Sequence, residues 1–188
     1  MALFSGFCLG LAATTLHSDT KPAVFTPAQQ GRLIDLFRAL RAVPTAQHAF
    51  ILEHLIWQEW QRTPLPLIPE LMSQAAMAQS LEDSQGALKA YGEIIALDPH
   101  YIPAYDQRAA LRYRQRNTVG ALEDIEACLR LDPRHFGAWV GLGAIFEDLE
   151  LYEAAEKAYN QALKYHPHLK LAKDGLRRTQ RHLHGPVA

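Results

Sequence analysis

The chain has 188 residues, of which 48% are hydrophobic, with 19 basic and 20 acidic side chains. This is the composition of a globular domain, and the near-neutral charge argues against a nucleic-acid partner, which usually demands a strongly basic surface. Two cysteines, Cys8 and Cys128, exclude both a disulfide framework and a CxxC metal pattern.

Residues 1–17 form an apolar N-terminal segment with two interpretations. Its apolar part, residues 2–13, is too short to span a bilayer, so we expect no integral membrane span. As a signal peptide it offers the small residues Gly10 and Ala12 at the −3 and −1 positions, but it lacks the Lys or Arg of an n-region. Export to the periplasm and a cytoplasmic apolar helix are therefore equally open. A polar linker, 18–26, follows.

Residues 27–63 are predicted to form a helical hairpin. Thr26 can cap a first helix that apolar residues at helical spacing carry to about residue 42. Thr45 can cap a second, broader apolar helix that reaches about Arg62. Helix cannot continue through the three prolines that follow, so they mark a boundary: Pro64, Pro66 and Pro69.

Beyond this boundary the chain repeats with a constant period. Pro99, Pro133 and Pro167 are evenly spaced and define that period, and small and large side chains recur in step with them. A constant period of this size indicates a solenoid, in which each unit leaves an apolar face that only its neighbour covers. Each unit is predicted to contain two antiparallel helices, at about 68–80 and 84–97, 102–115 and 118–131, and 136–148 and 152–165.

The third unit carries nearly a whole known motif: Trp139, Leu142, Gly143, Phe146, Tyr152, Ala155, Tyr159, Ala162 and Pro167. With these residues it resembles the tetratricopeptide repeat (TPR) family. The resemblance covers three units, 68–101, 102–135 and 136–167, and implies an all-α, right-handed superhelix of helix pairs. The second unit departs from the motif with Arg108 and Arg112, and no unit has the usual glycine between its helices.

Nonrepetitive segments flank the three units. Residues 168–184 place apolar side chains on one side and basic ones on the other, like the solvating helix that closes such arrays, and 185–188 form a short tail. The whole arrangement looks like that of a group of small bacterial repeat proteins. We expect the hairpin to cover the open face of the first unit with its large apolar residues: Leu33, Phe37, Phe50, Leu55, Ile56 and Trp57.

Residues for catalysis or metal binding show no convincing pattern. No GxSxG, HExxH, GxGxxG or GxxxxGK[ST] motif occurs, so we expect no enzyme and no cofactor. Cys128 and the tryptophans Trp57, Trp60 and Trp139 are predicted to pack in the core. A metal site remains a distant alternative, because histidines recur at the ends of the units and near the end of the chain: His100, His135, His166, His168, His182 and His184.

The resemblance also implies a binding surface. In TPR proteins the first helices of successive units line a concave face that binds extended peptides or helices. Family members that grip a chaperone's C-terminal carboxylate use lysine, asparagine and arginine there, whereas the third unit has Gly137 and Gly141, so no such clamp is expected. The lining residues would be Met72, Ala76 and Gln79, then Asp106, Ala110, Tyr113 and Arg114, then Val140, Ala144, Glu147 and Asp148.

These observations favour a non-catalytic protein-interaction scaffold. The acids at one end of the groove suggest a protein or peptide partner with apolar and basic side chains, although an ordinary solvated face would look similar. A competing hypothesis is self-assembly into a homo-oligomer through the hairpin or the cap helix. The basic cap has few aromatic side chains to stack on bases, so we expect no nucleic-acid partner.

Overall fold

The computed structural model describes residues 24–185, which fold into nine α-helices and, within that range, no strand. The all-α class predicted from the sequence is confirmed. The helices begin and end within about two residues of the predicted bounds. They are α1 (Pro27–Ala42), α2 (Ala46–Trp60), α3 (Leu67–Ser80), α4 (Ser84–Leu97), α5 (Ile102–Arg114), α6 (Thr118–Leu131), α7 (Phe136–Asp148), α8 (Tyr152–Tyr165) and α9 (Lys170–His184).

The predicted signal peptide or apolar helix, residues 1–17, lies outside the described residues, as do most of the linker and the last three residues of the tail. Among the helices that are described, none combines the length and the hydropathy needed to cross a membrane.

The turn between the two helices of each unit uses a non-glycine residue at a position where the family usually has glycine. Glu82, Arg116 and Glu150, which occupy equivalent positions in the three units, adopt left-handed backbone conformations with φ of 59°, 62° and 58°. This conformation costs a side-chain-bearing residue about 1 kcal/mol. In the first two turns the next residue, Asp83 or Asn117, accepts a hydrogen bond from a backbone N–H at the start of the following helix, which offsets part of that cost.

The two unusual arginines of the second unit are satisfied by one buried carboxylate. Arg108 donates two hydrogen bonds to Asp124, at 2.9 and 2.7 Å, and a nitrogen of Arg112 lies 3.0 Å from the same carboxylate. Asp124 is almost fully buried on α6. A polar cluster between α5 and α6 therefore replaces the apolar contact that the family motif leads one to expect.

Tyr159 of α8 contacts both α7 and α9. Its buried ring lies against Gly143 of α7 and Gly175 of α9, where an added Cβ atom would overlap the ring atoms. Glycine at these two sites lets the helix backbones approach the ring closely, which is how α9 closes the end of the array. The cap helix predicted for residues 168–184 occupies this place.

The hairpin does not cover the first unit, contrary to our expectation. It packs instead on the ends of the second and third units, on a surface that we call the loop edge, formed by residues 132–136 and 166–168. Phe37 contacts Phe136 with ring centroids 6.3 Å apart, and the buried indole of Trp60 donates a hydrogen bond of 3.0 Å to Asp132.

Two further hydrogen bonds tie the hairpin to the loop edge. His166 donates from Nε2 to the carboxylate of Glu53 at 3.0 Å, and His168 donates from Nε2 to the backbone carbonyl of Val43 at 2.9 Å. The first unit meanwhile closes a separate apolar cluster around the side chains of Tyr91 and Ile94.

The apolar residues of the hairpin that were expected to cover the first unit fall into a buried group and an exposed group. Those that face the loop edge or the hairpin interior are buried or half-buried, namely Leu33, Phe37, Ile56 and Trp57. Phe50 is 70% exposed and Leu55 is 38% exposed, so neither covers the repeat array. The hairpin therefore docks through one face, on which Phe37 and Trp60 contact the ring of Phe136.

The packing of Tyr159 generates a paired prediction. We expect Gly175→Ala to lower the free energy of unfolding by about 1–3 kcal/mol, because the new methyl group must displace a ring that is held on both sides. Gly31→Ala, in a part of α1 with no side chain near the site, should raise it by up to about 1 kcal/mol. Urea denaturation of both variants checks this, and equal effects of the two substitutions would contradict the role assigned to Tyr159.

Candidate protein-binding groove

The first helices of the three units, α3, α5 and α7, line a common face. Ala76, Ala110 and Ala144 take equivalent positions on these helices, one repeat period apart, and each is exposed or half-buried. Because an alanine side chain ends at Cβ, this row leaves a smooth floor that a partner's backbone could approach. We call this surface, together with the longer side chains beside it, the groove. Those side chains are Met72, Gln79, Asp106, Tyr113, Arg114, Val140, Glu147 and Asp148.

The cationic side of the groove is formed by Arg114. Its guanidinium donates a hydrogen bond of 2.5 Å to the side-chain oxygen of Gln79, one unit earlier. Gln79 in turn donates to the hydroxyl of Tyr91 at 2.6 Å. Within residues 24–185 no carboxylate forms an ion pair with Arg114, so its charge is not neutralised locally.

Tyr113 and Asp148 join the second unit to the third. The phenol donates a hydrogen bond of 2.6 Å to the Asp148 carboxylate, and Arg116 approaches the same carboxylate at 3.6 Å. Partial burial and the adjacent carboxylate raise the pKa of Tyr113 to about 12. The phenol therefore stays a hydrogen-bond donor at neutral pH.

Glu147 is held by the cap helix. Arg178 of α9 donates two hydrogen bonds to its carboxylate, at 2.8 and 2.9 Å, and Tyr159 donates a third at 2.8 Å. Burial alone would raise the pKa of Glu147, but Arg178 and Tyr159 outweigh it and hold that pKa below its ordinary value. The acid that we expected to attract a basic partner is thus already paired within the chain.

Asp106 lies deeper than expected, at the level of the buried His135. Its carboxylate is 3.7 Å from Nδ1 of His135, and burial raises the pKa of the Asp106 carboxyl. The apolar lining residues Met72 and Val140 are half-buried on α3 and α7. The two acids that the sequence placed at one end of the groove, Glu147 and Asp148, are therefore paired within the chain, whereas Arg114 has no ion pair among the described residues.

The histidines serve mainly in packing. His135 is fully buried and packs against both Trp57 and Trp60 of the hairpin, and His182 stacks on Tyr152 with ring centroids 4.4 Å apart. Asp106 and Cys128, which neighbour His135, place possible ligand atoms within 4.8 Å of it and of each other.

This buried cluster has no free imidazole lone pair on the side of Asp106, because Nδ1 of His135 accepts the backbone N–H of Ala138 at 3.0 Å. Cys128 is fully buried, as the sequence predicted, and burial raises the pKa of its thiol well above the ordinary value. His135 and Cys128 therefore have the contacts of side chains packed in the protein core.

The sequence analysis missed the contacts of two charged residues. Arg178 follows Ala144 by one repeat period, so it continues the alanine row into the cap and reaches the groove acid Glu147. The period itself was the signal that could have found it. Asp124 gave no such signal, since its importance comes only from the two arginines it meets.

A stack of antiparallel helix pairs with a groove along its first helices defines a helical repeat protein of the interaction type. A family model described as tetratricopeptide repeat matches residues 136–168. A TPR repeat-containing protein of Rhizobium etli is 31% identical over 149 residues, which cover 79% of this chain and 72% of the relative. The chain belongs to the tetratricopeptide repeat family.

Solved structures agree with this assignment. The Sgt2 TPR domain from Aspergillus fumigatus has a TM-score of 0.61 and 25% identity, covering 67% of this chain and 89% of that one. The first TPR of Spaghetti (RPAP3), bound to an HSP90 peptide of sequence SRMEEVD, has a TM-score of 0.58 and 22% identity, covering 62% and 92%. The TPR-type superhelix expected from the sequence is confirmed.

The contacts of Glu147 predict a change in acid stability. Because its pKa is lowered in the folded chain, its ion pair stabilises the fold above the ordinary carboxyl pKa, and that contribution is lost as the pH falls through the lowered value. We expect Glu147→Gln to be less stable than the wild type at pH 7 and to lose less stability between about pH 5 and pH 3. Thermal denaturation across this range measures the difference.

Glu150→Gln is the matched control, because Glu150 is exposed in the neighbouring turn. It should keep the pH dependence of the wild type. A Glu147→Gln variant with an unchanged acid profile would show that the Arg178 contact does not contribute to stability.

Proposed function

We propose that this protein is a non-catalytic scaffold whose groove binds an extended peptide or a short helix with apolar and acidic side chains. The observation that carries the proposal is that Arg114, which has no ion pair within residues 24–185, lies beside the alanine row. Membership of the TPR family supports an interaction role in general.

The shape of the groove supports a narrow, rod-like ligand. The alanine row extends over three units. The side chains beside it include the apolar Met72 and Val140 and the aromatic Tyr113, whose phenol forms a hydrogen bond. Aromatic and arginine side chains contribute strongly at protein interfaces, because they combine apolar area with directed hydrogen bonds. Tyr113 and Arg114 are adjacent and both reach solvent.

The charge of the groove supports an acidic side chain on the ligand. Glu147 and Asp148 are paired within the chain, whereas Arg114 contacts the neutral amide of Gln79. A ligand carboxylate could replace that amide and form a charge-assisted pair, which is about twice as strong as a neutral hydrogen bond. The proposed ligand is therefore acidic, whereas the sequence alone suggested a ligand with basic side chains.

The fold neighbour described above with a bound peptide offers a parallel for the mode of binding, although the sequence of its peptide belongs to that protein. The positions of a carboxylate clamp remain glycines here. A Cβ atom added at Gly137 would lie about 3.3 Å from His135 and 3.5 Å from Asp106, so a side chain at this position would press on both.

Peptide selection on the full chain tests the proposal. A displayed peptide library is selected on the immobilised protein, and the enriched sequences are remade as labelled peptides for fluorescence anisotropy. We expect apolar peptides with an acidic residue, and we expect Arg114→Ala to weaken their binding about tenfold. Arg130→Ala is the control, because Arg130 is exposed on α6, outside the groove.

A second substitution tests the groove itself. Ala110→Trp should abolish binding by filling the floor, whereas Ala96→Trp, on the exposed surface of α4, should leave it unchanged. Enriched peptides that bind Ala110→Trp as tightly as the wild type would place the binding surface elsewhere.

A further inference from the structure

Three histidines of the loop edge contact the hairpin. His166 and His168 donate hydrogen bonds to it, and the ring of His135 packs against Trp57 and Trp60. The side chain of His135 is fully buried in this contact. Histidine is the side chain whose charge ordinarily changes between about pH 5 and pH 8, so the contact contains a group that acid can alter.

His135 also caps the helix that follows it. It is the N-cap residue of α7, and its Nδ1 accepts the backbone N–H of Ala138 at 3.0 Å. An imidazole nitrogen accepts a hydrogen bond only when it carries no proton. The neutral ring therefore carries its single proton on Nε2, which is buried and has no hydrogen-bond partner among the residues that the structure describes.

The hairpin holds this ring in one orientation. Trp60 lies against it with ring centroids 4.3 Å apart, and Trp57 stands nearly perpendicular to it at 5.1 Å. While the hairpin is docked, the ring cannot turn Nδ1 away from the N–H of Ala138 without displacing these two indoles. A second proton on Nδ1 would then face another donor, so the docked arrangement disfavours a charged His135.

The charged groups around His135 do not remove this conflict. Asp106 of α5 lies 3.7 Å from Nδ1, and Asp132 of the loop edge is already paired with Arg134. Cys128 of α6 is a neutral thiol, and the hairpin side chains that contact the ring are uncharged indoles. The two carboxylates favour a charged ring, but burial outweighs them and lowers the pKa of His135.

We propose that His135 makes the docking of the hairpin sensitive to acid, so that protonation of its ring releases α1 and α2 from the loop edge and deprotonation lets them dock again. In the released state the ring can turn into water, where a charged imidazole is well solvated. Because the docked state disfavours the proton, docking is strongest above the ordinary histidine pKa of about 6.5. Below that pH the docking constant falls, by up to about tenfold per pH unit for one proton.

His166 acts in the opposite direction. Its Nε2 donates to the carboxylate of Glu53 at 3.0 Å, and a charged imidazole strengthens such a hydrogen bond. This pair limits the release that protonation of His135 causes. Glu53→Gln should therefore deepen the loss of docking in acid.

Hydrogen exchange measured by mass spectrometry tests the proposal on the full chain. Isolated helices of about 15 residues are marginal in water, so exchange in α1 and α2 reports the released fraction even when that fraction is small. After correction for the intrinsic pH dependence of exchange, protection of α1 and α2 should fall about fivefold between about pH 6.5 and pH 5.5. Protection of α3 to α6 should stay constant within about twofold.

His135→Asn separates titration from packing, because asparagine also accepts a hydrogen bond at an N-cap but carries no titrating group. This variant should dock less firmly at pH 7, since the ring contacts are lost, and its hairpin protection should no longer depend on pH. His100→Asn is the matched control, in the corresponding loop of the first unit and outside the loop edge. It should keep the fivefold change of the wild type.

Constant protection of α1 and α2 in the wild type over this range would overturn the proposal, as would a His135→Asn chain that keeps the fivefold change. A parallel loss of protection in all helices would also overturn it, because acid would then weaken the whole fold. If His135→Asn fails to fold, NMR of the wild-type histidine rings replaces it: a charged His135 ring in a chain whose hairpin is still protected contradicts the proposal. Peptide binding in the groove is measured separately, so either proposal can fail alone.

Discussion

The aromatic contact between the hairpin and the loop edge determines which surfaces of the repeat array are covered. Phe37, Trp60 and Phe136 pack together, and the hydrogen bond from Trp60 to Asp132 orients them across 72 residues of sequence. Fully burying side chains of this size contributes about 1.5–3 kcal/mol each. Because these side chains hold the hairpin at the side of the second and third units, α3 keeps an open outer face and the groove along the first helices stays free.

The groove is also shaped by the opposite end of the array. The cap helix neutralises Glu147 through Arg178, and Tyr113 and Arg116 engage Asp148, so the acids of the third unit's groove are paired within the chain. Among the groove residues that the structure describes, Arg114 is the cation without an ion pair. Under the proposed function, Arg114 is therefore the charge left for a partner, and the most family-like residues add little to it because they pack between helices.

The sequence predicts the repeats well and the tertiary placement of the hairpin poorly, for a physical reason. Helix bounds and unit borders depend on local signals, such as the repeat period and the caps, and these are visible in one dimension. The docking of Phe37 on Phe136 depends on a contact between distant segments, and an amphipathic hairpin can cover any apolar surface of suitable size. The charge of the groove depended similarly on Arg178 and Glu147: the repeat period places Arg178 beside the groove, but its pairing with Glu147 is again a contact between distant segments.

A double-mutant cycle measures the hairpin docking most directly. Trp60→Phe and Asp132→Ala, singly and together, should give a coupling energy in the free energy of unfolding of about 0.5 kcal/mol or more, since the two side chains share a buried hydrogen bond. Asp98 is the equivalent residue of the first unit, and Trp60→Phe with Asp98→Ala should be additive within about 0.5 kcal/mol. Coupling to Asp98 with additivity at Asp132 would place the hairpin on the first unit and contradict this account.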